Sequence, residues 1–200
     1  MREIVCSGET QLLQFIIRHD ESFDCCRKVI ATLGPSGTSS EFAAKHLTDD
    51  VQLFNSYEKA EEFVIKSKGS AAFLVANAYQ DVNKFYISRK LKPIAAFFLD
   101  TPSYVLATKH GAINLRSTPM RVASHRAPAH LISKLIPNCD HIIIEVFSTG
   151  EAARLAMAGE VDACLTTQLA CEKNGLIKMV DTGVIPMLWT VFAGRGDFND

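Results

Sequence analysis

Six consecutive apolar residues, Ala71-Ala72-Phe73-Leu74-Val75-Ala76, stand between a lysine- and serine-rich stretch and a polar turn. They constrain the fold more than any other segment. Six residues are far short of the roughly 20 a membrane helix needs. With no polar residue alternating among them, they read as a strand covered on both faces. Ile142-Ile143-Ile144 reads the same way. Similar runs recur at residues 28–33, 94–99, 104–108, 121–124, 141–147, 162–166 and 188–193. Segments of helical spacing lie between them, at 39–47, 57–66, 127–136, 150–158 and 168–174, the last stopped by Gly175. Residues 9–18 read as one more short helix. Strands separated by helices imply an α/β chain with largely parallel sheets.

Two proline-bearing stretches, near residues 100–103 and 182–186, read as crossings between lobes. They divide a single domain spanning 1–200 into lobe one, about 27–102 plus 184–200, and lobe two, about 103–183. A formal net charge of −1 argues against wrapping a nucleic acid. No apolar run of membrane-spanning length is present, and the first 18 residues lack the layout of a secretion leader, so a cytoplasmic protein is expected. The six cysteines, Cys6, Cys25, Cys26, Cys139, Cys164 and Cys171, form no C-x-x-C pair and read as reduced thiols packed as small apolar groups. Neither a metal nor a cofactor is expected.

Three strand-to-helix turns are candidates for holding an anion. Thr38-Ser39-Ser40-Glu41 is a capping box after a glycine-bearing turn, and Ser148-Thr149-Gly150-Glu151 has the same form. Ser124-His125-Arg126 precedes a helix expected from Ala127. Helix starts present unpaired N–H groups and the positive end of the dipole, and ligands of open α/β sheets sit at the carboxyl ends of adjacent strands. The Gly34-Pro35-Ser36-Gly37 turn is neither a P-loop nor a dinucleotide fingerprint. These residues alone lead to a two-lobed protein for a small anion and no further.

The segment from Thr32 to Ala44, T-L-G-P-S-G-T-S-S-E-F-A-A, resembles the opening motif of prephenate dehydratases, L-G-P-x-G-T-x-S-x-x-A-A. Val122-Ala123-Ser124-His125 resembles that family's S-H-P-Q segment, and residues 148–176 its later segment. Together the likeness covers about residues 27–195. It implies a two-lobed fold like the type II periplasmic binding proteins, with prephenate between the lobes; no ACT domain is expected, a departure from the family. The departures are informative. The family's P-I-E-N-S motif falls on Val75-Ala76-Asn77-Ala78-Tyr79, its glutamine on Ala127, and its catalytic T-R-F on Thr190-Val191-Phe192.

These departures resemble a smaller group, the prephenate decarboxylase of bacilysin biosynthesis and its relatives in other natural-product pathways. The shared features are Ala78-Tyr79, Phe85-Tyr86, Asp100-Thr101-Pro102-Ser103-Tyr104 and Ile185-Pro186-Met187-Leu188-Trp189 with Phe192. Asn77 stands where the bacilysin member has histidine, and Thr190 where it has serine. The resemblance implies a carboxy-lyase that decarboxylates prephenate without aromatising it, in an anticapsin-like pathway. The alternatives are a dehydratase giving phenylpyruvate, or a non-catalytic small-anion-binding protein. Prephenate is the one partner implied, with assembly as a homo-oligomer left open.

The choice between products depends on where a proton donor points. Valine at 191, in place of the dehydratases' arginine, removes a guanidinium that could clamp a carboxylate bidentately, and Thr190 keeps a hydroxyl. Thr190 and His125 are the candidate catalytic groups, His125 being equally readable as structural. Thr38, Ser39 and Ser40 are expected to hold one carboxylate, and Ser148 and Thr149 the other, with Ser124 beside them. Arg126 adds charge or is merely solvated. Tyr79, Tyr104, Trp189 and Phe192 are expected to wall the ring, and Asn77 to bond its hydroxyl or sit in a turn. Met187, Phe97 and Phe98 read as core.

Overall fold

The computed structural model describes residues 14–18 as backbone, and residues 29–111 and 119–195 in full. The chain divides into two compact units. The first holds Met1–Leu33, Ser40–Thr101 and Pro186–Asp200, and the second Gly34–Ser39 and Pro102–Ile185.

The first unit is built on a six-stranded sheet: β1 (Gln14–Arg18), β2 (Val29–Leu33), β3 (Val51–Phe54), β4 (Ala71–Ala76), β5 (Leu91–Phe98) and β11 (Leu188–Gly194). Their order across the sheet is β1-β5-β11-β4-β2-β3. Three helices belong here: α1 (Ser39–Lys45), all but its first residue, α2 (Tyr57–Lys66) and α3 (Asn83–Tyr86). Ser56 caps α2, its hydroxyl accepting from the Lys59 N–H at 3.2 Å. Strand β4 is the covered strand expected of its six apolar residues, with Phe73, Leu74 and Val75 fully buried. Its faces feed two cores. Leu74 joins Trp189 and Val191 on one face, whereas Phe73 and Val75 join Phe85 and Phe192 on the other.

The second unit carries a five-stranded sheet of β6 (Tyr104–Thr108), β7 (Met120–His125), β8 (His141–Val146), β9 (Ala163–Thr167) and β10 (Ile177–Gly183), in the order β10-β6-β9-β7-β8. Helices α4 (Ile132–Leu135), α5 (Thr149–Ala158) and α6 (Gln168–Lys173) accompany it. Cys164 and Cys171 are buried in its core as free thiols, and Cys139 is a free thiol at intermediate depth. Burial pushes the Cys164 thiol up to about 12 and raises the Cys171 thiol as well, so the thiolate is disfavoured at both. Cys6, Cys25 and Cys26 lie outside the described residues. No described helix is long and apolar enough to cross a membrane.

Several expectations are corrected. Both sheets are mixed rather than largely parallel. β2 pairs in parallel with β3 and β4, and β7 with β8 and β9, but β11 runs antiparallel to both β4 and β5. Helical crossovers keep strands parallel only while the chain stays in one sheet, and β11 enters its sheet from the opposite end. The expected helix at 9–18 is, over Gln14–Arg18, a strand paired antiparallel with β5; residues 9–13 lie outside the described residues. The β-branched pair Ile16-Ile17 favours this outcome.

Ile142 and Ile143 are 49% and 41% exposed, because β8 is an edge strand rather than a covered one. Phe98, expected in the core, is exposed, whereas Phe97 beside it is buried. The helix expected from Ala127 begins later, as a 3-10 turn at Ala129–Leu131 followed by α4. Pro128 disfavours helical backbone at the residue before it.

Candidate functional site

Strand β11 decides which candidates can act together. Side chains alternate along a strand, so Trp189 and Val191 face one core and Thr190 and Phe192 the other. Trp189 is fully buried, its indole N–H donating to the Leu99 carbonyl at 2.9 Å. Phe192 is likewise buried, within the second core of the first unit. Both rings are packed among the core side chains of the first unit. Val191 is buried on the face opposite Thr190, so an arginine there would put its charge in the Trp189 core rather than beside the Thr190 hydroxyl.

Thr190 is 2% exposed, and its hydroxyl lies in a closed polar group. It donates to Asn77 Oδ1 at 2.8 Å and lies 2.6 Å from the Tyr86 hydroxyl. Asn77 Nδ2 in turn donates to the Tyr86 oxygen at 3.1 Å. Donor accounting assigns the remaining bond. Thr190 has one proton, given to Asn77, so Tyr86 donates to Thr190. Each hydroxyl gives one hydrogen bond and accepts one. Exchanging the amide oxygen and nitrogen of Asn77 would only reverse the sense of the ring, sending the Thr190 proton to Tyr86.

Each member is placed by its neighbours. Asn77 follows β4, its own N–H donating to the Leu188 carbonyl at 2.9 Å. Helix α3 is rooted by buried Phe85, which packs edge-on against Phe73 at 4.8 Å. That leaves Tyr86 on the outer side, its ring 5.0 Å from Phe192. Tyr86 is not among the candidates that the sequence singles out. The Phe85-Tyr86 pair was its only signal, a hydrophobic anchor next to a polar aromatic.

The other candidates of the first unit have structural partners. The Ser40 and Tyr57 hydroxyls are 2.7 Å apart. Tyr79 donates to Glu58 Oε1 at 2.7 Å. Burial, then that carboxylate, holds the Tyr79 phenol well above its ordinary value, so it stays a donor to Glu58.

In the second unit, Ser39 Oγ lies 3.5 Å from the Tyr104 hydroxyl, whose ionisation is pushed up by burial and eased by Ser39. Ser148 caps α5, accepting from the Glu151 N–H at 3.1 Å, and Glu151 reaches back to the Phe147 N–H at 3.0 Å. Thr149, at the start of α5, accepts at its carbonyl from Thr166 at 2.7 Å. The Gly34–Ser39 turn packs against α5 and α6. Thr167 donates to the Gly37 carbonyl at 2.7 Å. A Cβ at Gly150 would stand 2.9 Å from Pro35 Cγ, and one at Gly37 3.2 Å from Ala170. Gly37 also needs its positive φ of 96°. Thr38 is buried at this turn.

Ser124 is buried and donates to the His125 carbonyl at 2.8 Å. His125 Nδ1 accepts from the Ala127 N–H at 3.3 Å, closing the turn that follows β7. Burial holds the imidazole below its ordinary value, against a smaller opposing effect of Glu145. Arg126 is exposed. The three hydroxyl-bearing turns do not follow adjacent strands of one sheet: β7 and β8 are neighbours, while β2 lies in the other sheet. Among the described residues no cluster of three or more histidine, cysteine or carboxylate side chains is placed to hold a metal.

No family model matches the chain. Over 204 residues it is 33% identical to the prephenate decarboxylase of Bacillus subtilis strain 168, covering 94% of this chain and 98% of that protein. Among solved structures, a prephenate dehydratase from Arthrobacter aurescens in complex with L-Phe matches with a TM-score of 0.64 at 17% identity, over 86% of this chain. This chain spans 62% of that dehydratase chain's length. A periplasmic substrate-binding protein of an ABC transporter from Coxiella burnetii matches with a TM-score of 0.53 at 16% identity, covering 86% of this chain and 87% of that one. Both likenesses establish the fold, the one that prephenate dehydratases share with periplasmic binding proteins.

Proposed function

Because the chain belongs to the prephenate decarboxylase family, we propose that it is a carboxy-lyase that removes carbon dioxide from prephenate and leaves the ring hydroxyl in place. The product is a dihydro-4-hydroxyphenylpyruvate. Prephenate carries two carboxylates and a hydroxyl on a cyclohexadiene ring. Breaking the bond to the ring carboxylate sends its electron pair into the diene. A proton delivered to a ring carbon then retains the hydroxyl, whereas a proton delivered to the hydroxyl releases water and an aromatic product. Each route consumes one proton, so the outcome depends on where the donor is aimed.

One observation carries the non-aromatising reading. The Thr190 hydroxyl, at the position of the dehydratases' catalytic threonine, is buried, and its only proton is bonded within the protein. A donor already engaged gives a leaving hydroxyl no help. Losing one well-placed donor typically costs about 10²–10³ in rate, enough to close the aromatising route. Thr190 is thus read as a withheld donor. Ser39, Tyr104 and Arg126 remain as groups for the carboxylates and ring, with the hydroxyls of Ser40, Ser148 and Ser124 serving mainly the local fold.

Purified protein incubated with prephenate, with the products resolved by NMR, tests the proposal. Stoichiometric carbon dioxide with a ring that keeps its hydroxyl is expected. Phenylpyruvate as the main product would make the protein a dehydratase, and tight binding without carbon dioxide release would make it a binding protein.

A further inference from the structure

Thr190, Asn77 and Tyr86 come from three separate segments and close on one another in the first unit. Each bond in the ring polarises the next, so the group favours its closed state over any single outward-turned proton. The burial is uneven. Thr190 is 2% exposed and Tyr86 42%, with Asn77 between them in depth. The threonine is therefore the inner member, and its two partners form the surface.

We propose that Asn77 and Tyr86 are positioning residues that jointly determine the product, by keeping the Thr190 proton away from the hydroxyl of the substrate. This deepens the decarboxylation reading above and rests on it. When carbon dioxide leaves with the C–C bond broken, the electron pair is captured by a solvent-derived proton at ring carbon. The C–O bond stays intact because the one proton of the Thr190 hydroxyl is held by Asn77.

The ring has built-in redundancy, which makes the idea testable. Without Asn77, the Thr190 proton turns to Tyr86; without Tyr86, it stays on Asn77. Only loss of both partners frees it. The two residues must then behave non-additively in the product ratio, as contacting members of one network do.

The wild-type product is measured first, because an aromatic wild-type product would sink the decarboxylation reading itself. Given a dihydro product, the phenylpyruvate fraction is measured for Asn77→Ala, Tyr86→Phe and the double variant. The expected result is a fraction near wild type in each single variant. A rise of about 10²-fold in the ratio of phenylpyruvate to dihydro product is expected in the double variant, the lower end of what one well-placed donor contributes. Adding Thr190→Val to the double variant must abolish the rise. An unchanged fraction in a folded double variant overturns the proposal, as does an equal rise in either single variant. A folded double variant that no longer releases carbon dioxide overturns it too, since a withheld proton is not needed for that step. Should the double variant fail to fold, the wild-type hydroxyl proton of Thr190 decides by NMR. A slowly exchanging proton with an NOE to the Asn77 side chain supports the proposal, and rapid exchange with water overturns it.

Discussion

Trp189 and Thr190 are consecutive residues that serve opposite faces of one strand. The indole of Trp189 sits in one core and donates to Leu99, while the hydroxyl of Thr190 faces the other side and joins Asn77 and Tyr86. Strand alternation therefore separates two residues that a motif presents as a unit.

Truncation of Trp189 should act on stability. Trp189→Ala removes the largest fully buried side chain and leaves the Leu99 carbonyl without its donor. A loss of about 3–5 kcal/mol is expected, read by urea unfolding, while the folded fraction makes the wild-type product.

Restoring the dehydratase arginine should fail. Val191→Arg places a guanidinium in the core shared by Leu74 and Trp189, away from Thr190. An unpaired buried charge costs about 3–5 kcal/mol. Thermal unfolding should show a large drop in the midpoint, and gain of phenylpyruvate formation would contradict the assignment of faces.

Gly150 has a steric duty rather than a flexible one. Gly150→Ala drives a methyl group into Pro35 on the Gly34–Ser39 turn, and overpacking of this kind costs about 1–3 kcal/mol. Gly159→Ala is a useful contrast: its Cβ would meet nothing, but the residue sits at φ 77°. Chemical denaturation of both variants separates collision from backbone strain.

His125 makes stability fall on acidification. Its folded imidazole resists protonation because it is buried, whereas the unfolded ring takes a proton near pH 6.5. Stability from this group is full above that pH. It falls as pH drops below about 6.5 and levels off once the folded ring also protonates. The added proton must go to Nδ1, displacing the Ala127 N–H. Melting temperatures between pH 8 and pH 5 should show this slope, and His125→Asn should flatten it.

Local pattern made much of the fold legible. The run Ala71–Ala76 is a strand with those bounds, and Tyr57–Lys66 a helix with those bounds, because each has one period, clear flanks and a core to face. Reading Ile142-Ile143-Ile144 as covered failed for a reason outside its own residues. An apolar run records that a strand forms, and the strand's rank in the sheet decides whether anything lies over it. Strand β1 failed similarly, since pairing with β5 outweighed a weak helical spacing.

Chain order alone supplied the alternation of elements, the motifs at Thr32–Ala44 and Ile185–Phe192, and the family those motifs belong to. Such features are local, carried by spacing and side-chain type. Which side chains the hydroxyls bond to was decided only in three dimensions. Tyr86 and Thr190 are 104 positions apart, and their oxygens meet because side chains of β4, α3 and β11 pack into one core on the same side of the sheet. Hydrogen bonding acts over about 3 Å of space, a distance that sequence separation does not measure.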